Sequence, residues 1–228
     1  MKLTPRYLFD ILRSLPKTVW FNFRYLPFDL ALKLPFYIHY RTKIHIKDGF
    51  VKIERKAPLK TFMIKFGNMG SFGIVENHYN VFFVDHGSIL FKGKAAFGVG
   101  SSIRSEGELI IGDNFNANRN SFISCTRKIE IGNNVLLGWN VSIRDSDGHM
   151  LIHNNIPQEP FAKVRIGDNV WICANAKILK GVNIGDHSVV AYQSLMIKGN
   201  SISGVLWAGT PAKIVKDNID WSPDVKIQ

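Results

Sequence analysis

The sequence predicts an all-β solenoid of very short strands stacked coil on coil, with a short helical extension at its N-terminus. Three observations predict it. An aliphatic or small residue recurs every six positions over much of the chain. Over the C-terminal third a second residue, most often Ser, Ala or Val, follows it four positions later. At three places the beat skips by two residues and then resumes. A period of six suits neither a 3.6-residue helix nor a long strand of period two. It suits short strands joined by tight corners, three to a triangular coil of about 18 residues, each turning one aliphatic side chain inward.

The extension, residues 1–41, comes first. Thr4 followed by Pro5 is a helix-start signal, and Tyr7, Leu8, Ile11, Leu12 and Leu15 keep helical spacing until Pro16, where a stop is expected. A second short apolar segment, Phe28 to Leu34, lies between Pro27 and Pro35, and Arg6, Arg13, Lys17, Arg24 and Lys33 fringe the two segments. The formal net charge of +11 concentrates here: residues 1–66 hold 14 Lys/Arg against 4 Asp/Glu, and 13 of the 27 aromatics. Two roles fit that pattern, a cap over the open end of the solenoid and an interfacial contact with an anionic membrane. Both stay open. No nucleic acid is expected as a partner, because the basic stretch carries no recognised motif.

The solenoid is expected over 42–214, with a tail at 215–228. Ile44, Ile46, Val51, Ile53 and the runs Phe62–Phe66 and Val81–Val84 alternate like strands and predict irregular first coils. The regular series then runs Phe91, Phe97, Ile103, Leu109; Ile111, Ala117, Ile123, Ile129; Ile131, Leu137, Ile143. After Val164 it resumes as Ile166, Ile172, Ile178, Ile184, Val190, Met196, Ile202, Ala208 and Ile214. The two-residue skips are expected to be enlarged corners. Gly112, Gly132, Gly138, Gly167 and Gly185 directly follow an aliphatic position, where a corner is expected to need a permissive backbone.

Composition bounds the rest. A chain of 228 residues, 46% hydrophobic and 21% charged, has material for one domain with a sizeable core. Cys125 and Cys173 make neither a disulfide framework nor a zinc spacing, and no covalent thiol chemistry is assigned to them. No apolar run approaches the roughly 18 residues of a membrane span, and Asp10 and Arg13 interrupt any signal-peptide core. A cytoplasmic protein, peripheral at the inner membrane face if the extension touches lipid, is expected.

The six-residue beat breaks once, in DSDGHMLIHNNIPQEPFAKV at 145–164. Such a break marks a loop thrown out of a rigid scaffold, a common seat of function. It holds His149, six residues after Ile143, with Asp145 and Asp147 just ahead of it. The segment IGDNVWICANAKILKGVNIGDHSVVAYQSLMIKG, with AGTPAKIVK closing at 216, resembles the hexapeptide-repeat acyltransferases, in particular the galactoside and maltose acetyltransferases. The resemblance is strong over 105–216 and weaker over 42–104. The run RYLPFDLALKLPFYI resembles the extensions of surface-polysaccharide acetyltransferases.

The resemblance implies a left-handed parallel β-helix, although crossover sterics alone favour the opposite hand. It implies a homotrimer with clefts between neighbours, and O-acetylation of a saccharide in capsule, O-antigen or exopolysaccharide synthesis from acetyl-CoA. His149 would be the general base, since imidazole titrates at roughly 6.5, with Asp145 or Asp147 fixing its tautomer. Cofactor contacts carry over to Ala174, Tyr192, Ile197, Lys198 and Lys213, with Trp171 as a pantetheine wall. Trp139 and Arg144 are taken for the acceptor side, and His153 for the surface. The chain departs from the family at Cys173, where glycine is usual, at Tyr192 among expected small residues, and at Ile197 in place of threonine. N-acetylation of an amino sugar nucleotide is the sibling alternative. A γ-carbonic-anhydrase-like hydratase would need three imidazoles on one ion, and His149 and His153 are spaced one residue too closely for that family, so no metal is expected.

Overall fold

The computed structural model describes residues 5–54, 59–67 and 79–223. Two helices open the chain, α1 (Pro5–Tyr25) and α2 (Phe28–Ala31). Coil one is β1 (Phe36–Ile38), β2 (Lys43–Lys47) and β3 (Phe50–Ile53). Coil two is β4 (Ile64–Phe66), β5 (Val81–Asp85) and β6 (Ser88–Phe91), and coil three is β7 (Ala95–Phe97), β8 (Ser102–Ser105) and β9 (Glu108–Ile111). Coil four is β10 (Phe115–Ala117), β11 (Phe122–Cys125) and β12 (Lys128–Ile131). Coil five, β13 (Leu136–Leu137), β14 (Ser142–Arg144) and later β17 (Val164–Ile166), is interrupted by the hairpin β15 (Ile152–His153) and β16 (Ile156–Pro157). Coil six is β18 (Trp171–Ile172), β19 (Lys177–Ile178) and β20 (Asn183–Ile184). The chain closes with β21 (Val189–Val190), β22 (Leu195–Met196) and the hairpin β23 (Leu206–Gly209) and β24 (Ala212–Lys216).

Every third strand stacks on the one a coil earlier. This gives sheet A (β1-β4-β7-β10-β13-β18-β21-β23-β24), sheet B (β2-β5-β8-β11-β14-β19-β22) and sheet C (β3-β6-β9-β12-β17-β20). All pairings along these faces are parallel except the closing β23–β24 hairpin. The aliphatic beat is the core: Phe97, Ile103, Leu109, Ile111, Ala117, Ile123, Ile129, Ile131, Leu137, Ile143, Ile166, Ile172, Ile178, Ile184, Val190 and Met196 are all buried.

Three expectations from the beat are corrected. The two-residue skips are not corners. They lie inside the sheet C strands, where Leu109 and Ile111, Ile129 and Ile131, and Val164 and Ile166 all face inward at strand spacing. The beat also ends at Met196, because Ile202 and Ile214 are exposed and Val205 and Trp207 take over the inward positions. The glycines serve space rather than backbone freedom: a Cβ on Gly112 would lie 2.2 Å from the Gly132 carbonyl oxygen of the next coil. The left-handed corners belong to Asn114, Asn134, Asn169 and His187, and to Asn120, Asn140, Asn175 and Gln193. Asparagine tolerates positive φ better than other residues with a Cβ.

Pro16 does not stop α1, which runs through it to Tyr25. Docking outweighs the lost helical bond. One face of the helix places Ser14, Thr18 and Asn22 along β1, the edge strand of sheet A. The Phe36 N–H donates to Asn22 Oδ1 (3.1 Å), and Asn22 Nδ2 donates to the Phe36 carbonyl (2.9 Å). The Ile38 N–H donates to Thr18 Oγ1 (3.0 Å), and the Tyr40 N–H to Ser14 Oγ (3.1 Å). Lys17 Nζ reaches the carbonyls of Tyr40 (2.7 Å) and Thr42 (3.0 Å). Four helical residues rise about 6.0 Å and two strand residues about 6.6 Å, so every fourth helical side chain meets every second strand residue. β1 lies within the stretch assigned to the extension, and its parallel pairing with β4 makes it part of the solenoid.

This geometry predicts that Asn22→Ala leaves a buried N–H and carbonyl of Phe36 unpaired. Each such group costs about 1–3 kcal/mol, so a loss of roughly 2–6 kcal/mol is expected in denaturant unfolding. An unchanged midpoint would mean that the side-chain ladder does not hold the edge.

Candidate active site

The site is built from two corners and the face between them. At the corner from sheet A to sheet B, the register stacks Trp139, Ala174 and Tyr192, each just before a left-handed Asn or Gln. The Asn175 N–H donates to the Trp139 carbonyl (2.8 Å) and the Gln193 N–H to the Ala174 carbonyl (3.1 Å), which fixes the column. The column places an indole, a methyl group and a phenol one above another, with Trp139 38% and Tyr192 60% exposed.

On the outward side of sheet B lies Arg144, its guanidinium carbon 5.7 Å from the Phe122 ring centre. Farther along come Leu179, half-buried, and Ile197, exposed just past β22, with Lys198 following it. Lys213 is exposed on β24. Neither lysine has an acidic partner among the described residues. Trp171 stands apart from this group, on the outward side of β18 with its ring centre 6.0 Å from that of Trp221.

At the corner from sheet B to sheet C, Ser105, Cys125 and Asp145 occupy successive coils and are all buried. The Asp145 carboxylate accepts the N–H groups of Thr126, Arg127 and Lys128, each at 2.7 Å, and so caps the corner of the preceding coil. The loop expected at 145–164 leaves here. It is an arm that exposes Met150, Leu151, Ile152 and Ile156, each by more than 60%, with Ile152 and Ile156 on its antiparallel strands β15 and β16. Lys180 of the next coil pins its base, with Nζ 2.6 Å from Asp147 Oδ2 and 2.6 Å from the Glu159 carbonyl.

His149 sits exposed on this arm, just past Gly148. Neither aspartate expected to orient it does so within one copy: Asp145 is committed to the backbone and Asp147 to Lys180. The structure thus brings Trp139, Ala174 and Tyr192 together, and sets Arg144 and Ile197 on the face that separates this column from the His149 arm. It separates Trp171 from them. Lys180 was missed from the sequence, since a lone lysine in a repeat carries no signal of the loop it anchors. Among the described residues no three His, Cys, Asp or Glu side chains converge as metal ligands would.

Both thiols are driven away from reactivity. Burial pushes Cys125 up to about 12, and the Asp145 charge adds to it. Burial pushes Cys173 up to about 11. The reactive species is the thiolate, so at pH 8 Cys173 is ionised to only about one part in a thousand.

The sequence pattern described as bacterial transferase hexapeptide (six repeats) matches residues 163–198. The chain is 31% identical to the WbbJ protein of Escherichia coli, named for O-acetyl transfer in lipopolysaccharide biosynthesis, over 57% of this chain and 72% of that one. It is 36% identical to the galactoside O-acetyltransferase of Escherichia coli over 53% of this chain and 57% of that enzyme. The chain spans about half the length of several curated relatives it matches. Among solved structures, the polysialic-acid-specific acetyltransferase NeuO superposes with a TM-score of 0.56 at 21% identity, covering 81% of this chain and 84% of that one. The polysialic acid O-acetyltransferase OatWY gives 0.51 at 24% identity, covering 81% and 92%. The expected left-handed parallel β-helix is the fold.

The thiol assignments predict that iodoacetamide at pH 8 leaves both cysteines of the folded protein unmodified. Alkylation of Cys173, followed by mass spectrometry, should rise about tenfold per pH unit toward pH 11, because the thiolate fraction does. Rapid labelling at pH 8 would contradict the raised thiol.

Proposed function

The chain belongs to the hexapeptide-repeat acyltransferases, and from that premise we propose that it moves acetyl from acetyl-CoA to a saccharide hydroxyl in capsule, O-antigen or exopolysaccharide synthesis. The observation that carries the reading is the excursion that interrupts coil five: it holds His149 and springs from the same face that bears Arg144 and Ile197. The thioester carbonyl supplies the electrophile. The His149 imidazole takes the acceptor hydroxyl's proton as that oxygen bonds to the carbonyl carbon. The carbon–sulfur bond then breaks, and the leaving thiolate takes a proton back. Ala174 and Tyr192 fit one side of the pantetheine slot, with Trp139 of the same column toward the acceptor and Trp171 farther off. Lys198 and Lys213, lacking acidic partners among the described residues, fit the coenzyme's phosphates as point charges. Asp145 and Asp147 act by holding the corner and the base of the arm.

A homotrimer is part of the proposal. Tyr192 and Ile197, 60% and 48% exposed, leave the slot open on one side, and a neighbouring copy would close it. His149→Ala should lower acetyl transfer by roughly 10²–10⁴ with coenzyme A affinity nearly unchanged. Retention of more than about a third of the activity would remove His149 from the mechanism.

We also propose that residues 1–41 rest on an anionic membrane leaflet. No helix among the described residues is long and apolar enough to cross a membrane. The outer face of α1, opposite the ladder on β1, exposes Leu8, Phe9, Leu12, Val19, Trp20 and Phe23. They share a stripe about 120° wide, with Arg13 and Arg24 along one edge. Capping and lipid contact therefore use different faces of one helix. In flotation, the protein should bind anionic vesicles at low salt. Leu12→Glu with Trp20→Glu should abolish this without lowering the melting temperature. An intact protein that stays with the soluble fraction at low salt would end the idea.

A further inference from the structure

The outward side of sheet B carries an alternation of cations and rings, of which the acetyl-transfer chemistry uses only Arg144. Along neighbouring strands it presents Lys43 and His45 on β2, Phe83 on β5, Arg104 on β8, Phe122 on β11 and Arg144 on β14. The cations lean on rings. Lys43 Nζ lies 5.0 Å from the Tyr79 ring centre, Arg104 Cζ lies 4.9 Å from that of Phe83, and Arg144 Cζ 5.7 Å from that of Phe122. The His45 ring stacks on Phe83 at 4.7 Å and 11°, so Phe83 is covered on one side by an imidazole and approached by a guanidinium. With its ring contacts filled, Phe83 is a prop for cations rather than a platform for a ligand. A guanidinium stacked on a ring keeps its in-plane N–H donors available for an anion.

Sheet C gives a partial contrast: Lys128 pairs with Glu108 (2.8 Å) and Glu130 (3.2 Å), and Lys163 with Glu130 (2.6 Å), while Lys52 on β3 and Arg165 on β17 have no ion pair among the described residues. On sheet B only Arg104 has an acidic partner, Glu106 at the adjoining corner, while Lys43, Arg144 and Lys177 have none among the described residues. The result is a basic face. Strands lie about 4.8 Å apart, so Arg104 and Arg144, in one register column, stand about 9.5 Å apart, and Lys43, two strands the other way and two residues along, about 12 Å from Arg104.

We propose that this face is the docking track of an extended anionic saccharide, which its cations meet at every second strand and which runs on past Arg144 to the His149 arm. The inference rests on the acetyltransferase reading for what happens at the end of the track, but not for the binding itself. It names the acceptor's class as a chain with acidic groups repeating at roughly 10–12 Å, or a denser one read at alternate groups.

Hyaluronan fragments carry a carboxylate on every second sugar and are the probe; dextran fragments of equal length are the neutral control. Fluorescence anisotropy of end-labelled fragments, without coenzyme A, should show hyaluronan binding that weakens with salt and little binding of dextran. Lys43→Gln with Arg104→Gln should weaken hyaluronan binding about tenfold while leaving melting temperature, coenzyme A binding and acetyl transfer to a short acceptor unchanged. Arg104→Lys in place of Arg104→Gln should recover part of the affinity. Equal affinity for dextran and hyaluronan, or an unaffected double variant, overturns the track. Absent acetyl transfer by the wild type with intact hyaluronan binding would instead sink the acetyltransferase reading alone.

Discussion

Parallel backbone pairing between successive coils is the interaction on which the rest of this structure depends. Because each strand hydrogen-bonds in register to the strand one coil away, any position in a coil sits directly over its counterpart in the next. Like residues therefore stack. The stacking makes a continuous aliphatic column from segments too short to bury anything alone. It also makes polar columns: Asp113 caps the N–H of Lys94 (2.6 Å), Asn133 that of Asp113 (2.8 Å), Asp168 that of Asn133 (2.6 Å) and Asp186 that of Asp168 (2.8 Å). Side chains at these corners supply partners to donors that a turning backbone would otherwise strand.

The same register explains what the sequence made legible. Inward positions repeat chemically because they repeat geometrically, so the beat, its three faces and its one interruption could all be read in one dimension. What the beat could not reveal was which part of a coil a skip occupies. Leu109 and Ile111 look alike whether they flank a corner or share one strand, and only pairing with Ile129 and Ile131 decides. Gly112 and its relatives were located correctly but for the wrong physical reason. Their constraint is the next coil's backbone, which no local rule contains. Pro16 misled because helix propensity is local, whereas the bonds from Asn22 and Thr18 to β1 are tertiary.

Of the candidate site, the loop and the column were legible and the partnerships were not. His149 was singled out by its place in the break, and Ala174 and Tyr192 by motif position; the register puts the latter two in one column with Trp139. Asp145 looked like a companion of His149 because it is close in sequence. In space it belongs to the column of Ser105 and Cys125, where a short acidic side chain reaches three N–H groups of the coil beneath. A residue next to a loop can serve the scaffold that launches the loop, and spacing alone does not separate the two roles.

A stack of strands must also end, and sheet A is closed at its two ends by different means. At the first coil the open edge of β1 is met by side chains of α1. At the last, the chain turns back on itself, and β24 pairs antiparallel with β23. The tail then returns to coil six, where the Trp221 indole N–H donates to the Asn169 carbonyl (2.6 Å) and Asp220 accepts from Asn169 Nδ2 (2.9 Å). Backbone can cover an edge only where it can adopt the strand's direction or reverse it. A helix cannot, so it needs polar side chains at matched spacing, and that requirement leaves its opposite face free to be apolar. The exposed stripe on α1 is thus compatible with a well-covered edge, and apart from Lys213, which sits on the closing β24, the site residues lie between the two closed ends.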